Sequence, residues 1–176
     1  MACMWFACQT PSVPTTMTFD HLHPQLAQTA TSMAADTVDI DQTRQSELND
    51  LAGWVAEMLV DSGQIDLTFI CTHNSRRSHL AQVWAQVGAK VSGLQGVRTF
   101  SGGTEATACN PRTVAAMRRA GFQVAVQDTV HGAANPTYDV SMGQDVPGMA
   151  CFSKKYINEV NPQNGFGAVM TCSSAD

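Results

Sequence analysis

The sequence predicts an α/β domain built on a parallel sheet. Three observations carry this. Two short apolar runs, Leu67 to Cys71 (LTFIC) and Phe166 to Cys172 (FGAVMTC), read as buried strands. After the first run and a polar loop, Leu80, Val83, Trp84 and Val87 fall at helical spacing on one face. A second strand-to-helix unit follows, and strands that alternate with helices build parallel sheets.

The elements follow in order. Residues 1–41 are weakly patterned, with Pro11, Pro14 and Pro24 among many Thr, Ala and Gln. They are expected to form a poorly ordered or weakly helical extension, with a short helix around 24–33. Residues 1–16 read as an addition to the domain, which makes Met17 a candidate start. Residues 42–61 read as an amphipathic helix that packs on the sheet. Its face is Leu48, Leu51, Val55, Met58 and Leu59, and Gly63 stops it. The helix after LTFIC is expected to close at Gly88.

Val97 to Ser101 is the second strand, with Gly102-Gly103 as its turn. Asn110 then caps a helix that has Pro111 in its first turn, Arg118 and Arg119 in its last, and Gly121 beyond its end. Residues 122–126, 137–142 and 148–152 read as short strands between Gly and Pro turns. The basic cluster Lys154-Lys155-Tyr156 reads as a solvated hairpin surface, and Asn161 to Gly165 as a loop. The chain stops at Asp176, just past a strand that normally feeds a covering helix, so it looks cut short.

Composition narrows the class. A chain of 176 residues and 18.8 kDa, 44% hydrophobic, is one domain with room for a core. A net charge of −5 and a pI near 5.4 argue against a nucleic-acid binder, which carries a basic stripe. No apolar run approaches the ~18–20 residues of a membrane span. The six cysteines are irregularly spaced and form no C-x-x-C pair, which excludes zinc-ribbon and thioredoxin motifs. The opening MACMWFAC lacks the basic start and long apolar stretch of a signal peptide, so reduced thiols in the cytoplasm are expected. The five histidines show no metal-ligand spacing, and no cofactor is expected.

One loop carries chemistry: Cys71-Thr72-His73-Asn74-Ser75-Arg76-Arg77-Ser78, between the first strand and its helix. Cys-x5-Arg arises by chance in roughly one shuffled sequence in four, and with Ser next in about one in sixty. The strand-loop-helix context makes it rarer still. A loop at a helix N-terminus turns several backbone N–H groups inward, forming a nest for a tetrahedral oxyanion. Arg77 adds a planar fork to two of its oxygens. The same field stabilises a thiolate at Cys71, placed for in-line attack on a bound phosphate. Ser78 can donate a hydrogen bond to the sulfur. Asn74 tolerates the left-handed backbone of a tight loop, and its side chain can pin that loop. His73 and His79 read as loop or surface histidines, and Cys109 and Cys151 as small core residues.

LTFICTHNSRRSHLAQVWA resembles the opening of the low-molecular-weight protein tyrosine phosphatase superfamily, which includes the thioredoxin-coupled arsenate reductases. SGGTEATACNPRTVAAMRRAGF resembles the family's second strand, small-residue turn and Asn-Pro helix. FGAVMTCSSAD resembles the arsenate-reductase strand and the start of its redox segment. The resemblance covers roughly residues 66–123 and 165–176. It implies a doubly wound parallel sheet with helices on both faces, here truncated at the C-terminus and carrying an N-terminal helical extension. Residues 42–176 are then one phosphatase-like domain with an insertion at about 124–164.

The resemblance also implies roles. Cys71 is the nucleophile and Arg77 clamps the oxyanion. Thr72, His73, Asn74, Ser75 and Arg76 supply backbone amides, Asn74 holds the loop, and Ser78 supports the thiolate. Ser101 stands behind the loop. Cys172 takes the position of the resolving cysteine. His73 replaces a common Gly and Arg76 a common Cys, which reshapes the pocket mouth or makes it more basic. The family's general-acid Asp and second redox Cys fall past residue 176.

Three readings follow. The first is a cysteine-dependent phosphatase that acts on phosphomonoesters through a Cys71 thiophosphate, because the loop and its scaffold are fully present. The second is an arsenate reductase using Cys71 and Cys172, with thioredoxin or another thiol as reductant. The third is a non-catalytic oxyanion-binding or thiol-sensing module.

Overall fold

The computed structural model describes residues 16–36, 40–127 and 134–175. Expectations for residues 1–15, for Cys3 and Cys8, and for Asp176 lie outside them. Among the described residues four helices and six strands follow in the order α1 (Pro24–Ala35), α2 (Gln42–Ser62), β1 (Ile65–Cys71), α3 (Arg77–Val91), β2 (Val97–Gly103), α4 (Pro111–Ala120), β3 (Gln123–Gln127), β4 (Thr137–Ser141), β5 (Met149–Cys151) and β6 (Phe166–Met170).

β1 is the centre of a three-stranded parallel sheet in the order β2-β1-β6. Five of its seven side chains, Leu67 to Cys71, are buried in succession, as a strand with neighbours on both sides requires. Helices flank this sheet, so the protein is an α/β fold. Val55, Met58 and Leu59 of α2 and Ala81 and Ala85 of α3 pack with Ile65, Leu67 and Phe69. No residue of α2 is fully buried, and Leu48, which the helical face included, is exposed.

The remaining short strands do not extend the parallel sheet. β3, β4 and β5 form a separate antiparallel sheet, whose neighbours need only short links. The second core lies between this sheet and the helices. Leu26 of α1, Val83 and Val87 of α3, Met117 of α4 and Val140 of β4 meet there. Trp84 and Phe122 close it edge to face, with ring centroids 5.3 Å apart. α1 therefore contributes core side chains, with Leu26 wholly inaccessible to solvent.

Several boundaries differ from those expected. α3 does not stop at Gly88 but runs to Val91, because Val87, Ala89 and Val91 are all buried and outweigh the ~1 kcal/mol cost of a helical glycine. β2 runs on through Gly102 and Gly103, which pair with Ile70 and Cys71 instead of turning. β6 ends at Met170, so Cys172 has left the strand. α4 keeps its expected ends. The Asn110 side chain accepts from Arg112 N–H, and Gly121 closes the helix with φ 104°.

In the described residues no helix is long and apolar enough to cross a membrane. They also hold no group of three or more potential metal-ligating side chains.

Candidate functional site

The loop that follows β1 lies at the C-terminal edge of the parallel sheet, where ligands of such sheets bind. Its carbonyls are held from outside. Thr104 N–H donates to Cys71 O at 3.1 Å, Glu105 N–H to Thr72 O at 2.7 Å, and Asn110 N–H to Ser75 O at 3.0 Å. The Ser153 hydroxyl donates to His73 O at 2.8 Å. With its acceptors tied outward, the loop turns donors inward. The backbone N–H groups of Ser78, Ser75 and Asn74 all hydrogen-bond the Cys71 sulfur.

Asn74 makes this curvature possible. It is the one non-glycine residue with positive φ among the described residues, at 45°. Asparagine visits the left-handed region more readily than most residues. Its side chain is wholly buried and fully used. Oδ1 accepts from Lys154 N–H at 3.0 Å, and Nδ2 donates to Ser78 Oγ at 2.9 Å. Because Ser78 Oγ accepts from Asn74, its own proton is free for the Cys71 sulfur 3.1 Å away. Burial pushes the Cys71 thiol up, but the Ser78 hydroxyl and the three N–H groups outweigh it and leave the thiol below its ordinary value.

Over the sulfur lies a cavity of about 220 Å³ lined by Cys71, His73, Ser75, Arg76, Arg77, Thr107 and Asn110. Among the described residues no carboxylate lines it. The N-terminus of α3, whose Arg76 cap makes no side-chain capping bond, opens there. This combination of helix N-terminus, inward N–H groups and guanidinium suits a tetrahedral oxyanion. Arg76 and His73, both departures from the resembled pattern, sit in the cavity wall. His73 is half exposed, and its Nε2 lies 3.4 Å from the Glu105 carboxylate.

Gly103 explains the glycine pair of β2. A Cβ there would collide with Glu105 O, Asn74 N and Thr72 O, all backbone atoms of the loop and its brace. Ser101 is buried behind the loop, with its hydroxyl 3.1 Å from His79 Nδ1. His79 is therefore not a surface histidine. It is wholly buried, and burial first, then the Lys154 charge, push its pKa down to about 3. Helical register explains the error, since His79 lies one residue past Ser78 and turns inward with it.

Cys172 lies just past β6, which runs beside β1. Its sulfur is 3.7 Å from Thr72 Oγ1. Burial raises this thiol, while hydrogen bonds from Thr72 and Ser174 and the Arg77 charge bring it below its ordinary value. Cys71 and Cys172 thus share one sheet edge, whereas Cys109 and Cys151 are buried and do not line the cavity over Cys71. Burial pushes those two up to about 11 and about 12.

Comparison with known proteins agrees with this arrangement. The family model of low molecular weight phosphotyrosine protein phosphatases matches residues 66–140. The match spans β1 to β4, including the loop that carries Cys71 and Arg77. An arsenate reductase 2 of Staphylococcus haemolyticus is 41% identical over 56 residues, covering 32% of this chain and 40% of the relative. An arsenate reductase of Staphylococcus epidermidis matches to the same extent. The chain thus spans about two fifths of the length of the curated relatives it matches. No solved structure matches it.

Sequence reasoning missed the residues that brace the loop. Ser153 and Lys154 reach it from about 80 residues away, and Lys154 is 4% exposed where a solvated hairpin was expected. Thr107 and Asn110 line the cavity as well, and Asn110 had been legible only as a helix cap. Nothing local in the sequence marks Ser153 or Lys154 for this duty.

Proposed function

We propose that the protein reduces arsenate with Cys71 as nucleophile and Cys172 as resolving thiol. The observation that carries this reading is the Cys172 sulfur beside Thr72, on the edge of the loop that holds Cys71. The loop alone serves phosphatase and reductase equally; a second activated thiol serves only the reductase.

The arsenate oxyanion sits on the inward N–H groups with Arg77 across two of its oxygens, and Arg76 and His73 make the mouth more basic. The Cys71 thiolate attacks arsenic. A sulfur–arsenic bond forms, and an arsenic–oxygen bond breaks with loss of water. The Cys172 thiolate then attacks the Cys71 sulfur. A disulfide forms, the sulfur–arsenic bond breaks, and its electron pair stays on arsenic, which leaves as arsenite. An external thiol reductant of the thioredoxin type returns the disulfide to two thiols. Ser78 and Asn74 hold the first thiolate throughout, and Ser101 supports the loop from behind.

A second reading, phosphomonoester hydrolysis through a Cys71 thiophosphate, rests on the same loop.

The test is arsenite release by the 176-residue chain with a dithiol reductant, beside hydrolysis of para-nitrophenyl phosphate. The reductase reading expects Cys71→Ser to lose both activities and Cys172→Ser to lose only arsenite release. Hydrolysis without arsenite release in the unaltered chain leaves the phosphatase. Loss of neither activity in Cys71→Ser sinks both readings.

A further inference from the structure

A second cavity, of about 240 Å³, shares no lining residue with the one over Cys71. It opens between β2, β5 and the segment after β5. Phe100, Met149 and Phe152 give it apolar walls. Four almost fully buried polar residues also line it; Thr99 already donates its hydroxyl to Gln86 Oε1, which leaves three: Gln82 at 5%, Lys154 at 4% and Asn161 at 4% exposure.

Each has unmet capacity. The Gln82 amide is oriented by its nitrogen, which donates to Thr99 O at 3.0 Å, and its Oε1 has no partner. Asn161 is oriented in the same way. Its Nδ2 donates to Ser101 O at 3.1 Å and Tyr156 O at 3.0 Å, and its Oδ1 has no partner. The Lys154 ammonium rests 4.7 Å from the Phe152 ring centroid. The ion pairs among the described residues involve Arg44, His73 and Arg98 and none involves Lys154, whose titratable neighbours are the Cys151 and Cys109 thiols. Burial accordingly pulls its pKa down to about 8.

A buried amine with no ion-pair partner and two buried oxygens with no donor among the described residues are each costly to maintain. Their convergence on an apolar cavity, together with a perturbed lysine, is the pattern of a small-molecule site. The complement follows from the chemistry: a carboxylate for the ammonium, a hydroxyl or amino donor for the two amide oxygens, and an apolar body for the walls. At ~30 Å³ per water the cavity has the volume of about eight waters, which suits an acid of about six carbons. We propose that this cavity, formed by Gln82, Lys154 and Asn161 among apolar walls, is a binding site for a small branched 2-hydroxy or 2-amino carboxylic acid. None of its lining residues lines the cavity over Cys71.

The test is calorimetric titration and thermal melting of the full chain with 2-hydroxyisocaproate and leucine. Isocaproate, which lacks the donor, and 4-methylpentanol, which lacks the carboxylate, are run beside them. Saturable binding of at least one 2-substituted acid is expected, with each partial analogue about tenfold weaker or worse. Cys71→Ser is expected to keep this binding. Lys154→Met is expected to abolish it. Because Lys154→Met alters a buried residue, its fold is checked by circular dichroism. Ala150→Trp, which fills the mouth from an exposed position on the wall, removes binding without touching the polar groups. No saturable signal from any probe in a folded chain means the cavity holds water only and overturns the proposal. Binding that survives Ala150→Trp, or that is lost in Cys71→Ser or displaced by inorganic phosphate, overturns it too, because the probe is then elsewhere.

Discussion

Two strand ends bury a cysteine and treat it in opposite ways. At the end of β1, Cys71 is 3% exposed; at the end of β5, Cys151 is fully inaccessible. Burial raises both thiols. At Cys151 nothing outweighs it, and the pKa rises to about 12. At Cys71 the Ser78 hydroxyl and three backbone N–H groups reverse the sign. The difference lies in directed donors, not in depth. A buried thiol is lowered here because a helix begins beside it and a loop has been bent so that its N–H groups converge.

The largest test of this contrast is to remove each sulfur in turn. Cys71→Ser is expected to bring turnover below detection, while Cys151→Ala retains it and loses about 1 kcal/mol of stability from the small cavity left. Parallel assays of turnover and urea unfolding separate the two outcomes. Equal loss of turnover in both variants breaks the comparison.

The bend in the loop comes next. Gly103→Ala places a methyl group against three backbone atoms that cannot move aside independently. It should cost about 1–3 kcal/mol or displace the loop, and either effect is visible in denaturant unfolding and in phosphate affinity.

Asn74→Ala keeps the chain length but removes both side-chain bonds and the residue suited to a φ of 45°. A loss in turnover of roughly a hundredfold is expected, the scale of a misplacement of about 1 Å, with the fold intact by circular dichroism. Unchanged turnover would show that Lys154 and Ser78 hold the loop without it.

A smaller change sharpens the electrostatic half of the argument. Ser78→Ala removes the hydroxyl donor to Cys71 and leaves the backbone donors in place. The midpoint of Cys71 alkylation by iodoacetamide against pH should move upward. A midpoint that does not move assigns the whole effect to the backbone.

The smallest effect is at Cys151. Its folded pKa of about 12 lies above the ordinary 9.0, so between these values the folded state holds a proton that the unfolded state has lost. Its contribution is fully present below pH 9 and disappears as pH rises toward 12. Cys109, at about 11, acts in the same direction. Cys151→Ala should therefore flatten part of the alkaline loss of stability, as measured by urea midpoints across that range.

Much of the site was legible because its parts are contiguous. Cys71, Asn74, Arg77 and Ser78 occupy a single strand-loop-helix turn, and the chemistry of that turn needs those residue types in that order. The cap at Asn110 and the stop at Gly121 were legible for the same local reason. What failed was whatever depended on distant partners. Gly88 looked like a helix end until the buried Val87 and Val91 carried α3 past it. Gly102-Gly103 looked like a turn until Lys154 and Tyr156 paired with the end of β2. His79 and Lys154 looked solvated because a polar residue in a polar stretch gives no local sign of burial.

The sequence by itself determined the Cys71-to-Ser78 loop between a strand and a helix and the alternation of strand and helix, since these are set by neighbours within a few residues. Only the tertiary structure decided which carbonyls are tied outward, which thiols are raised or lowered, and that Cys172 meets the same sheet edge as Cys71. Those outcomes depend on hydrogen bonds and burial between segments up to about 100 residues apart, and no spacing along the chain encodes them.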